Sequence, residues 1–148
     1  MAQAPAPPVF TLEAVNALLP RLRVLMHAQM QRRAAIEDKL QHLTKLVGRV
    51  AQTIEIEVGD SEPVKSIKEE LLARVAEYQQ GWRELEGMGA VLKDPRTGLV
   101  DFYGRVDGKL VWLCWKYGEE AVTHYHGLDE GFAGRKPIES TMRHRHLN

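Results

Sequence analysis

Apolar positions along this chain change spacing as the chain proceeds, and each spacing marks a different kind of element. Ile36, Leu40, Leu43, Val47, Val50 and Ile54 alternate four and three apart, the period of an amphipathic helix with a coiled-coil seam. Leu22 and Met26 extend the seam upstream, while Gln29 and Arg33 interrupt it. A second stripe runs through Val64, Ile67, Leu71, Val75, Tyr78, Trp82 and Leu85. Gly59-Asp60-Ser61-Glu62-Pro63 lies between the stripes as a turn and helix start, with Asp60 or Ser61 as cap and Pro63 in the first turn. The two stripes therefore predict a long antiparallel helical hairpin. Thr53–Val58 also alternates with period two and carries β-branched residues, as a short strand would; the preferred reading continues the helix to about Ile56.

Before the seam, Phe10-Thr11-Leu12-Glu13 reads as a helix start, with Thr11 as cap and Glu13 in the first turn. Pro20 lacks a backbone donor, so a short N-terminal helix is expected to end or kink there. Beyond Gly87-Met88-Gly89 the period shortens. Ala90-Val91-Leu92 can begin a strand, and Asp94–Gly98 has the composition of a turn. The runs Leu99–Arg105 and Lys109–Trp115 flank Val106-Asp107-Gly108, and Asp-Gly between such runs is a strong hairpin signal. A shorter run, Ala121–His126, follows a turn at Tyr117-Gly118. The expected fold class is α+β: the helical hairpin, then a small antiparallel β-meander. In the second hairpin strand Leu110, Trp112 and Cys114 face one way and Val111, Leu113 and Trp115 the other. With both faces apolar, one can lie on the helices and the other needs a lid, a ligand or a second subunit.

At 148 residues the chain fits a single domain. It divides into a leader over 1–9, a helical part over 10–88, a β and glycine-loop part over 89–135 and a tail over 136–148. Lys plus Arg equals Asp plus Glu at 20 each, so no global field favours nucleic acid or an anionic membrane. The charges are nonetheless unevenly placed, the stretch 20–50 being basic and 62–86 acidic. That contrast suits packing of one helix on the other and argues against a nucleic-acid surface. The single cysteine cannot form an internal disulfide, and Cys114 reads as a small buried hydrophobe. The opening MAQAPAPPV lacks the basic and apolar regions of a signal peptide, and no apolar run reaches the length of a membrane span. The expected location is cytoplasmic.

Candidate chemistry gathers near the end. His124 and His126 are two apart in a β run and project from one face. With Asp129 just beyond, they form a candidate site for a divalent metal such as zinc, a further ligand coming from a loop residue, His144 or His146. The bland alternative leaves His124 exposed and His126 hydrogen-bonded in the sheet. The glycine-punctuated stretch Gly127–Arg135 is a second candidate, in which Arg135 would clamp a small anionic ligand beside Asp129, Asp101, Tyr125 and Trp115. Its structural alternative pairs Arg135 with Asp129, Glu130 or Asp101.

Several blocks resemble a bacterial family catalogued as domain of unknown function 2203: Phe10 through Pro20, Gly98-Leu99-Val100-Asp101-Phe102, Leu113-Cys114-Trp115, Leu128-Asp129, and Gly131 through Arg135. The resemblance spans nearly the whole chain after Pro8 and implies a small prokaryotic protein, with no established activity or cofactor. The family pattern places aromatic-His-Glu before the Leu-Asp pair. Here those positions are Tyr125, His126 and Gly127, so an acid in that role would have to come from Glu119, Glu120 or Glu130.

Two functional classes follow. The first is an interaction or ligand-binding module, dimerising through the helical seam or the apolar hairpin face, with a polar site at the end of the meander. The second is a metal-dependent, hydrolase-like enzyme using His124, His126 and a nearby carboxylate to activate water.

Overall fold

Pro20 does not end the first helix. A computed structural model describes residues 8–139, and in it α1 runs unbroken over Leu12–Val47 with Pro20 inside. Thr11 Oγ1 caps it by accepting the Ala14 N–H at 3.1 Å. The separate short helix expected from Pro20 is thus replaced by one long helix. Pro20 itself is exposed, and its missing donor costs one hydrogen bond. Buried Val15 and Leu19 before it, with Leu22, Leu25 and Met26 after it, form one apolar stripe whose burial offsets that loss.

The helix stops earlier than its seam. Gly48 adopts φ +82° and its N–H closes on Thr44 O at 2.8 Å, a left-handed C-terminal stop that suits glycine. Residues 50–61 are loop, so Thr53–Val58 is neither helix nor strand. Ile54 and Ala51 instead fold back with Ile36 and Val47 onto buried Leu43, Val64, Ile67 and Leu71. The second helix, α2, spans Glu62–Gly87, with Ser61 Oγ accepting the Val64 N–H.

The described residues form two units, one of residues 27–83 and one of residues 8–26 with 84–139. In the first, Gln29 meets Tyr78, Arg32 meets Glu77 and Lys39 meets Glu70. One residue number rises as its partner falls, which is the antiparallel hairpin. The basic and acidic stretches pair as their charges suggest, although such exposed pairs add little stability. Gln29, which breaks the seam in sequence, is buried; it donates to Tyr78 O at 2.8 Å and accepts from Arg32 at 2.7 Å. Opposite stands Gly81, where a Cβ would lie 2.1 Å from Gln29 Oε1.

In the other unit five strands follow: β1 (Val91–Asp94), β2 (Leu99–Val106), β3 (Lys109–Lys116), β4 (His124–His126) and β5 (Lys136–Pro137). They lie in chain order with antiparallel neighbours, a meander. Asp107 and Gly108 both take positive φ, the two-residue turn expected of Asp-Gly. That turn fixes the pairing of β2 with β3, from Val106↔Lys109 through Asp101↔Cys114 to Leu99↔Lys116.

Alternation then sorts the side chains. One face carries Val100, Phe102, Leu113 and Trp115, all fully buried, and Phe10 packs edge-on against Phe102. The other face carries Asp101, Tyr103, Trp112, Cys114, His124 and His126. Among the described residues no helix is long and apolar enough to cross a membrane.

Candidate functional site

The polar face holds a buried group that spans three strands. Asp101 on β2 lies directly opposite Cys114 on β3; His126 on β4 pairs with Trp112, one row along. Its ring reaches diagonally back, bringing Nε2 within 2.8 Å of Asp101 Oδ2. Nδ1 lies 3.0 Å from Gly127 O. The side chains of Asp101 and His126 are 1% and 3% exposed, and Cys114 is fully buried. One candidate ligand atom from each of these three residues lies within 4.8 Å of the other two.

Both nitrogens of His126 face oxygen atoms, Nε2 the Asp101 carboxyl and Nδ1 the Gly127 carbonyl. Burial pushes the Asp101 carboxyl above its ordinary range, opposed by His126, Lys93 and Cys114. The Cys114 thiol is pushed up to about 12 by burial and by the Asp101 charge, with Arg135 pulling the other way. Asp101 Oδ1 is buried with no hydrogen-bond partner among the described residues. A buried acceptor left in that state costs about 1–3 kcal/mol.

Above Cys114 sits Arg135, held by a two-pronged pair to Glu119 at 3.0 and 2.9 Å and stacked over Phe132 with 4.3 Å to the ring centre. Burial raises the Glu119 carboxyl, but hydrogen bonds from Arg135 and the Lys116 amide bring it below its usual value. Arg135 is held cationic by Glu119 in turn. The partner of Arg135 is therefore Glu119, and not Asp129, Glu130 or Asp101. The glycine loop uses its own groups: Glu130 Oε1 accepts the Gly127 N–H at 2.9 Å.

This chain belongs to the DUF2203 family. The family's sequence model, described as uncharacterized conserved protein (DUF2203), matches residues 8–138. No curated protein and no solved structure matches the chain.

On this DUF2203 chain the residues singled out by sequence are distributed as follows. His124 and His126 do share a face, but they hold different partners. His124 is half-buried, with Nδ1 2.9 Å from Thr123 Oγ1, and it is outside the three-residue group. Asp129 is exposed in the turn after β4. Tyr125 pairs with Leu113 and so points to the opposite face, as does Trp115, whose indole N–H donates to Glu119 O at 3.0 Å. His144 and His146 lie outside the described residues. Asp101, Cys114 and His126 are thus the residues the fold brings together.

Cys114 was readable as a partner of Asp101. A two-residue Asp-Gly turn pairs Val106 with Lys109, and counting back along both strands sets Asp101 opposite Cys114. No such count reaches His126, because the irregular stretch between β3 and β4 leaves the register of β4 open.

Proposed function

We propose that this chain is a ligand-binding module whose site is the Asp101–Cys114–His126 group on the polar face of the sheet. The observation that carries this reading is the unpartnered Asp101 Oδ1 in a fully buried carboxylate. A sheet needs no carboxylate at that position for folding, and replacing a whole buried ion pair by apolar groups is often neutral or stabilising. A group that costs stability suits a site completed by a ligand.

The test is Asp101→Asn, unfolded by urea in the presence of a chelator. The variant removes the charge and leaves an amide that can donate to His126. The expected outcome is an unchanged or raised unfolding free energy, by about 1 kcal/mol. A loss of about 2 kcal/mol or more would make Asp101 a folding residue and end this reading.

The module also self-associates in this reading, with a second copy of the chain along α1. Leu40, a member of the helical seam within α1, is 39% exposed, which leaves part of the seam uncovered. Light scattering at high micromolar concentration should give a dimer mass, reduced to the monomer by Leu40→Glu. A monomeric mass for the unaltered chain removes self-association and leaves the binding site as it stands.

A further inference from the structure

We propose that Asp101, Cys114 and His126 bind a divalent transition-metal ion of the zinc class. The proposal rests on the binding reading above and names its ligand.

Three features favour a metal over an organic ligand or anion. The first is the donor set. A carboxylate, a thiol and an imidazole share no common organic ligand, but together they are the oxygen, sulfur and nitrogen donors that zinc takes. The thiol also argues against magnesium or calcium, which prefer oxygen alone. The second is spacing. In a tetrahedral site with bonds of about 2.0–2.3 Å, neighbouring donor atoms lie about 3.2–3.8 Å apart. Here the three lie within 4.8 Å of one another, and the 2.8 Å Asp101–His126 contact has only to open slightly. The third is the imidazole itself. Its Nδ1 lies 3.0 Å from Gly127 O, so an N–H there donates to a backbone carbonyl and leaves the Nε2 lone pair for an ion. Metal-bound histidines are commonly oriented in this way.

Binding requires the Cys114 thiol, pushed up to about 12, to give its proton to solvent. A thiolate, a carboxylate and a neutral imidazole then neutralise the divalent ion. Asp101 Oδ1, without a hydrogen-bond partner among the described residues, can serve as the donor or rotate to let Oδ2 do so. Arg135 beside the sulfur favours the thiolate that binding requires. Three protein ligands leave a fourth position for water or a small molecule, the pattern of open sites as distinct from closed structural ones.

The experiment is titration of the full chain, without an affinity tag, with Co²⁺ in place of Zn²⁺. The chain has one cysteine, so a thiolate-to-cobalt charge-transfer band reports Cys114 alone. The expected result is that band saturating at one ion per chain and reversed by Zn²⁺. Cys114→Ser should abolish the band, and His126→Ala and Asp101→Asn should weaken Co²⁺ binding at least tenfold. His124→Ala and a His144→Ala/His146→Ala double variant should leave the band intact. Circular dichroism of each variant separates a lost ligand from a lost fold. An unaltered chain that gives no band at saturating Co²⁺ overturns the proposal. So does a band that survives unchanged in both His126→Ala and Asp101→Asn, since that describes a thiol binding metal unaided. If the band is absent but Asp101→Asn is as stable as the unaltered chain, the metal falls and the binding module stands. If the band is absent and Asp101→Asn is strongly destabilised, both fall.

Discussion

Lys68 and Asp101 are ionisable side chains buried alike, one in each unit of the chain, and their surroundings could hardly differ more. Lys68 Nζ donates to Glu55 O and Asp60 Oδ2, both at 2.9 Å, and Glu57 Oε1 lies 3.6 Å away. An ammonium has three donors, and three acceptors surround this one. Asp101 has His126 on one oxygen, while the other has no hydrogen-bond partner among the described residues, with the Cys114 thiol beside the carboxyl. The first arrangement closes a loop onto a helix and satisfies every donor of the ammonium. The second leaves one carboxyl oxygen without a hydrogen bond among the described residues. Burial alone therefore does not distinguish the two; the state of the partners does.

The sharpest way to break this comparison is to remove Lys68. Lys68→Ala leaves the Asp60 carboxylate and the Glu55 carbonyl facing each other without their shared donor. Urea unfolding should show the largest loss of stability among the substitutions named here, because half a buried pair costs more than none. A loss no greater than that of Asp101→Asn would erase the contrast.

Gly81→Ala comes next. Its Cβ would overlap the Gln29 carboxamide, and the lost fit should cost about 2 kcal/mol. Combining it with Gln29→Ala should recover part of the loss, because the two side chains occupy the same space. Strict additivity in that double-mutant cycle would show that they do not meet.

Acid sharpens the comparison further. Hydrogen bonding from the Glu57 amide, then from Lys68, holds the Asp60 carboxyl below its usual value, and Lys68 is held above its own by Asp60. The pair's contribution should be complete above the unfolded carboxyl pKa of about 3.9 and drain away as pH falls through the lowered folded value. On the alkaline side it should persist to about pH 10.4 and be lost as pH rises through the raised value for Lys68. In Lys68→Ala the lysine arm should vanish and the acid arm should shrink. Unfolding free energies measured across pH check both.

Much of the fold was open to reading because its signals are local. The Asp107-Gly108 turn, the Gly59–Pro63 helix start and the two apolar stripes each depend on neighbours in sequence. Pro20 misled because tertiary burial on both sides of it outweighed one missing hydrogen bond. The end of α1 misled because Gly48, a single left-handed residue, overrode an apolar spacing that continued past it. The candidate site was half legible. His126 stood out by type, and Asp101 and Cys114 could be paired by counting from their turn. Joining the two required the pairing of β3 with β4, which only the folded sheet supplies, and so His124 and Asp129 stood in sequence where Asp101 and Cys114 stand in space.

The central claim is that the buried group of the sheet is kept for a ligand, and one measurement meets it directly. Unaltered protein and Asp101→Asn are each unfolded in urea with chelator and again with zinc. In chelator Asp101→Asn should be at least as stable as the unaltered chain. Zinc at a hundred times its dissociation constant should raise the unaltered protein by about 2.7 kcal/mol and the variant by much less, so that the order of stability reverses. An order that is the same in both conditions, with the unaltered chain ahead throughout and indifferent to zinc, would contradict the account.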